Sequence, residues 1–281
     1  HRRCSEVGRC LASPPMITLP QPTPSCAPPP AGRQRAGGHA EGPHKLCAPR
    51  RRARHWLDRP ALTQRIAQAL TEHRVVLLQA AAGHGKTSAL SEAVRHLPAD
   101  AACAWVDIHP GDDLPAVLQA LLDALSPWDL PWSLRAAQVQ DLASADESAS
   151  RQRAAVTLVH ALAGCPAPAG VIVLDGLDRV DDGPLFEFID LVLSRLDPRW
   201  AMAITTRHEP PLTLARLRAW GEVALFRADD LQFDTAEVVR LAAGAGLGQT
   251  DALALHERTR GWVAGVQLGL APEAERAIAE Y

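Results

Sequence analysis

Apolar residues recur with two different periods along the middle of the chain. Leu62, Ile66 and Leu70 fall every fourth residue and predict a helix over 61–72. Val75-Val76-Leu77-Leu78 follows as an unbroken apolar run, the pattern of a short strand buried on both faces. After a Gly-rich loop, residues 87–95 read as helix and 103–108 as a second strand. Asp112, Asp113 and Pro115 open a helix that carries Leu114, Val117, Leu118, Leu121, Leu122 and Leu125 on one face. Residues 126–150, with Pro127, Pro131 and a Ser/Asp/Ala tract, read as irregular, and 151–163 as helix. Strands at 171–174, 201–205 and 222–226 then alternate with helices at 184–196 and 212–220. This alternation predicts an α/β fold, with a parallel sheet covered by helices on both faces.

The strand signals stop near residue 230. Asp234 and Glu237 have capping-box spacing ahead of Val238, Val239 and Leu241, and short helices are expected at 251–259 and 262–270. The expected organisation is a Pro/Arg-rich disordered segment (1–54), a nucleotide-binding domain (55–229) and the start of a helical extension (230–281), cut off at Tyr281. The first residue is His1 rather than Met, so the chain reads as a fragment.

Charge changes this picture in one respect. The net charge of −3 conceals ten Lys/Arg against Glu6 and Glu41 within residues 1–54. That leaves 19 of the 29 basic and 30 of the 32 acidic side chains for the remainder. An acidic body is a poor grip for nucleic acid, so no operator affinity is expected of it. The Arg50–Arg54 cluster is either a nucleic-acid or localisation patch or a solvated linker. No apolar run approaches the roughly 20 residues that span a bilayer. The six cysteines form no C-x2-C pair and no zinc-finger spacing, and read as reduced thiols of a cytoplasmic protein.

The chemistry sits in the loop after the first strand. Ala80-Ala81-Ala82-Gly83-His84-Gly85-Lys86-Thr87 follows G-x4-G-K-[ST], with Ala80 at the first Gly position. Gly83 and Gly85 let backbone amides turn inward on phosphates, and the following helix adds its positive end. On this reading Ala82, Gly83, His84, Gly85, Lys86, Thr87 and Ser88 bind the nucleotide, most simply ATP or ADP with Mg²⁺. Lys86 neutralises phosphate oxygens and Thr87 ligates the metal. The loop lies between an apolar strand and a helix, which is the arrangement the motif needs.

Val171-Ile172-Val173-Leu174-Asp175 ends a buried strand on an acid, at the strand end where α/β proteins bind ligands. Asp175 is therefore the second metal residue, through water. The next position, where many such ATPases carry a second acid, is Gly176. Asp178 is either a substitute base or a plain loop acid. Arg207, after Thr205-Thr206 at the end of the next strand, is either a sensor of the terminal phosphate or a surface arginine paired with Glu209.

These segments resemble the ATPase domain of the large ATP-binding LuxR-type regulators, which are similar to the maltose-regulon activator and belong to the STAND signalling ATPases within the AAA+-like P-loop NTPases. The resemblance is carried by Ala82–Thr87, by the Val-Ile-Val-Leu-Asp strand, and by the run from Thr206 to Arg218 with its Arg207-His208-Glu209-Pro210-Pro211 core. Arg227-Ala228-Asp229-Asp230-Leu231-Gln232-Phe233 and Arg260-Gly261-Trp262-Val263-Ala264-Gly265-Val266-Gln267-Leu268 add to it, as does the lead-in from Lys45 to Leu62. It covers about residues 55–270. It implies a signalling switch: ADP holds a closed form, and inducer-driven exchange to ATP permits self-association and transcriptional activation. It also implies that a small-molecule or protein inducer and DNA act through a C-terminal sensor and helix-turn-helix beyond Tyr281. The sequence departs from the family's paired acids, with Asp175-Gly176-Leu177-Asp178 closer to the NACHT branch, which makes slow hydrolysis the expectation. Two other readings stand beside this one: a P-loop ATPase or kinase-type enzyme with active turnover, and a non-hydrolysing nucleotide-binding scaffold.

Overall fold

The computed structural model describes residues 56–132, 141 and 148–271. The disorder expected of 1–54 and the end of the chain after Ala271 lie outside these residues. The elements run α1 (Pro60–Glu72), β1 (Val75–Gln79), α2 (Lys86–Arg95), β2 (Ala102–Asp107), α3 (Leu114–Leu125), α4 (Ser148–Ala163) and β3 (Gly170–Asp175). A 3-10 turn (Leu177–Arg179) leads to α5 (Gly183–Leu193), β4 (Trp200–Thr206), α6 (Ala215–Ala219), β5 (Val223–Arg227) and α7 (Ala228–Leu231). Then come α8 (Thr235–Gly244), α9 (Gln249–Thr259) and α10 (Val263–Gly269).

The five strands form one parallel sheet in the order β2-β3-β4-β1-β5. Their unbroken apolar sequences are explained by burial on both sides. Alternate residues of each strand feed separate cores: Val75 and Leu77 face one, Val76 and Leu78 the other. The first core holds α3, α4 and α5, with Leu118, Leu158 and Ile189. The second holds α1 and α2, with Ile66 and Leu90. From β1 the chain jumps over β4 and β3 to the edge strand β2, then works back to pass β1 and add β5. Beside β1 the order reverses and the helices change faces, which opens a crevice at the strand C-termini. A third, smaller core joins α8, α9 and α10 through Phe233, Val238, Leu241, Leu255 and Val266.

Among the expected boundaries that moved, two did so for a tertiary reason. Helix α4 begins at Ser148, inside the stretch expected to be irregular, because Ser148 Oγ and Arg151 both bind Glu187 of α5. The helix expected at 212–220 shrinks to Ala215–Ala219, because Asp190 takes the amide and hydroxyl of Thr213 and holds it outside the helix. Helix α5 stops at Leu193 with Ser194 as its cap, short of the expected 196. The Asp234/Glu237 capping box forms: the Glu237 amide donates to Asp234 Oδ1 at 2.7 Å, and the Asp234 amide to Glu237 Oε2 at 2.9 Å. No helix among the described residues is long and apolar enough to cross a membrane.

Candidate functional site

The register of the sheet gathers the polar residues that the sequence leaves scattered. Gln79 pairs with Thr206, and Asp175 pairs with both Thr205 and Asp107, so the polar ends of β1, β2, β3 and β4 lie at one edge. The loop from Ala80 to Gly85 rises from β1 at that edge. Gly83 and Gly85 have φ of 75° and 77°, the left-handed region in which only glycine is unstrained. Gly85 is also the N-cap of α2. Ala80 needs no such freedom: it is buried, and its amide donates to Thr206 O at 3.2 Å, continuing the strand. The alanine at the first Gly position therefore costs the loop nothing.

Lys86 reaches back over the loop, and its ammonium donates to Ala80 O at 2.6 Å and Ala81 O at 3.0 Å. Burial pulls its pKa below the usual lysine value; Asp178 and Asp175 raise it, while Arg207 and Arg179 lower it. An anion at the loop would relieve this penalty by favouring the charged ammonium.

Thr87, first-turn residue of α2, donates its hydroxyl to Asp175 Oδ1 at 2.9 Å. Thr205 donates to the same oxygen at 2.5 Å and accepts the Gly176 amide at 2.8 Å. Asp175 is only 4% exposed. Burial raises its pKa, and the hydrogen bonds from Thr205 and Thr87 partly offset the rise. A buried carboxylate beside a hydroxyl is a donor set that suits a hard divalent cation such as Mg²⁺. Among the described residues no group of three or more His, Cys, Asp or Glu forms a separate metal centre.

Asp178 and Arg207 meet at the rim. The Arg207 amide donates to Asp178 Oδ1 at 3.0 Å, and its Nε lies 3.2 Å from Oδ2. Arg207 thus pairs with Asp178 rather than with Glu209, which binds Arg218 instead. Both oxygens of Asp178 are engaged, so it is not a free base in this arrangement. Ala82, Gly83, Gly85, Lys86, Thr87, Ser88, Asp175, Asp178 and Arg207 all line one cavity of about 220 Å³. His84 turns away from it. Its ring contacts Ala81 O and lines a neighbouring, more apolar pocket of about 80 Å³. Trp56, Leu57, Phe233 and Val263 line that pocket too, and Gly85 and Ser88 border both spaces.

Four contributors were not assigned site roles from the sequence. Thr205 and Arg179 line the cavity around Lys86 and Asp175, and Trp262 and Ala264 hold the loop from outside. Trp262 Nε1 donates to Ala82 O at 3.0 Å, and the Ala264 amide to Gly83 O at 2.9 Å. A Cβ on Gly83 would stand 2.7 Å from that of Ala264. The glycine is therefore needed for close approach as well as for φ. The Gly-Trp stretch had marked the resemblance without disclosing that contact, which joins positions 180 residues apart.

No protein-family model matches the chain. It is 25% identical over 233 residues to the HTH-type transcriptional regulator MalT of Vibrio cholerae, an alignment covering 80% of this chain and 24% of that protein. The chain thus spans about a quarter of this curated relative's length. Among solved structures it is similar to a signal transduction ATPase with numerous domains, carrying a tetratricopeptide repeat sensor, from Pyrococcus horikoshii. That match has a TM-score of 0.54 and 19% identity, over 80% of this chain and 31% of the other. A Walker-type ATPase of Pyrococcus abyssi matches with a TM-score of 0.50 and 13% identity, over 80% and 71%. The fold is that of a P-loop ATPase, and the chain resembles MalT-like STAND ATPase domains, as its motifs imply.

Proposed function

We propose that this chain is the ATP-binding module of a LuxR-type transcription regulator, a slowly hydrolysing switch set by whether ADP or ATP is bound. The observation that carries the reading is the contact of Thr87 and Asp175 beneath a loop with Lys86 at its lip, at the crevice beside β1. The loop amides, Lys86 and Ser88 hold the phosphates. The base lies in the apolar pocket between Trp56, Leu57, His84 and Val263. Thr87 and Asp175 would hold Mg²⁺, which would supply neutralisation of phosphate charge there. Arg207 senses the terminal phosphate by exchanging it for Asp178. Because Gly176 supplies no acid beside Asp175, hydrolysis is slow. DNA and inducer act on parts of the regulator outside residues 55–271, and ATP favours self-association.

Lys86→Ala tests the reading. Titration with a fluorescent ATP analogue and Mg²⁺ should show at least about a tenfold loss of affinity, the scale of one charge-assisted contact. Unchanged affinity would sink it. Turnover above about 1 s⁻¹ by the unaltered chain would instead favour a working enzyme.

A further inference from the structure

Arg179 ends the 3-10 turn that follows Asp175, and the nucleotide reading gives it no role. Its Nη1 donates to Asp107 Oδ1 at 3.0 Å and to Ile108 O at 2.7 Å. Both anchors come from the end of β2, the strand on the far side of β3 from β4. Nη1 makes both contacts, so among the described residues Nε and Nη2 hold no hydrogen bond. The side chain lines the same cavity as Lys86, Asp175 and Arg207. Burial dominates the pKa shifts of Lys86 (down) and Asp175 (up), and the Arg179 charge adds a smaller lowering influence at both.

Gly176 explains how the guanidinium comes to lie there. Gly176 has φ of 85°, and a Cβ built on it would stand 2.8 Å from Arg179 Nε and 2.9 Å from Cζ. The arginine lies flat against the glycine, in space that any side chain at 176 would take. Gly176 therefore does more than omit an acid: it admits a cation.

We propose that Arg179 is a further phosphate-binding cation beside Lys86 and Arg207, directed at the terminal phosphate of a nucleoside triphosphate and positioned by Asp107. This rests on the nucleotide reading above. The topology supplies the direction. The loop and Lys86 rise from β1, and Thr87 and Asp175 mark the metal position between β1 and β3. Arg179 is anchored to the end of β2, beyond Asp175 from the loop, and the proposal puts the terminal phosphate, the group a diphosphate lacks, on that side. Arg207, on the β4 side, faces the same group from the other flank. Two guanidinium groups then flank the terminal phosphate, with bidentate geometry that lysine lacks.

The test is the ratio of ATP to ADP affinity, measured by competition against a fluorescent ADP analogue with Mg²⁺. Arg179→Gln should lower ATP affinity about tenfold and ADP affinity less than about threefold. Arg179→Lys should restore part of the difference. Gly176→Asp, which places a side chain where the guanidinium lies, should remove the preference as Arg179→Gln does, and Asp107→Asn should weaken it less. Equal losses for ATP and ADP in Arg179→Gln, or an unchanged ratio, would overturn the proposal while leaving the nucleotide site intact. If the unaltered chain binds neither nucleotide, the site reading fails and this proposal falls with it.

Discussion

The sheet and the helices appended to it are stabilised in different ways. In the sheet, Val76, Leu77, Leu78, Ile172 and Ile204 are wholly buried between two helical layers, and β3, β4 and β1 are each paired on both sides. The appended α8, α9 and α10 share a core of eight buried residues. They leave Leu247, Leu253, Trp262 and Leu268 at 36–44% exposure. Polar contacts also tie them to the rest of the fold. Arg59, just before α1, reaches Glu237 at 2.8 Å and the carbonyls of Leu231 and Gln232 at 2.6 and 2.8 Å. Trp262 and Ala264 hold the phosphate loop. The sheet carries the loop at 80–85, while the helices with the smaller core touch it. A ligand on that loop is thus coupled to the element that is easiest to move.

The comparison breaks most visibly in the sheet. Leu77→Ala should cost about 3 kcal/mol or more, because the cavity opens in a fully packed layer, and the whole unit should unfold in one lowered transition. Val238→Ala, equally buried but in the small core, should cost about 1–3 kcal/mol and loosen α8–α10 while far-ultraviolet signals of the sheet persist. Denaturant unfolding followed by circular dichroism and by hydrogen exchange separates the two outcomes. A single shared transition for Val238→Ala would erase the distinction.

The next effect concerns the polar attachment. Glu237→Ala removes half of the capping box and leaves the Arg59 guanidinium partly buried without its carboxylate. A loss of about 2 kcal/mol is expected, confined to exchange rates in 235–270. Equal loss across β1 and β3 would show that the appended helices are not a separate unit.

The smallest effect is one of pH. Burial raises the pKa of Asp175 above that of the unfolded chain, so the protonated form is the better-tolerated one in the fold. Its contribution to stability is full below the unfolded value and is lost as pH rises through the folded value. Mg²⁺ requires the ionised form, so metal-dependent nucleotide affinity should rise with pH over that window while stability without metal falls slightly. Asp175→Asn should flatten both trends, raise the melting temperature without metal and remove the metal dependence. A pH profile unchanged in the variant would assign the titration elsewhere.

The sheet was legible because a strand buried on both faces writes its burial into consecutive residues, as 75–78 and 171–174 do. The loop was legible because phosphate binding needs glycine, lysine and a hydroxyl at fixed local spacing. Asp175 could be found because it ends an apolar run. Arg179, Trp262 and Arg59 could not, because what they touch is set by packing between distant segments: Arg59 and Glu237 are 178 residues apart. That Arg207 lies at the cavity could be read from its place after the strand, but its partner could not, since Glu209 is nearer in sequence and Asp178 nearer in space. The early start of α4 was likewise hidden in its contact with Glu187.

The central claim is that one nucleotide bridges the sheet and the appended helices through the loop at 80–87. The most direct measurement is amide hydrogen exchange of residues 261–271, with and without Mg²⁺ and ATP at saturation, alongside the fluorescence signal that reports binding. The account predicts slower exchange at Ala264 and through α10 on binding, unchanged exchange within β1 and β3, and loss of the effect in Lys86→Ala. Bound nucleotide with exchange in α10 unaltered would contradict it.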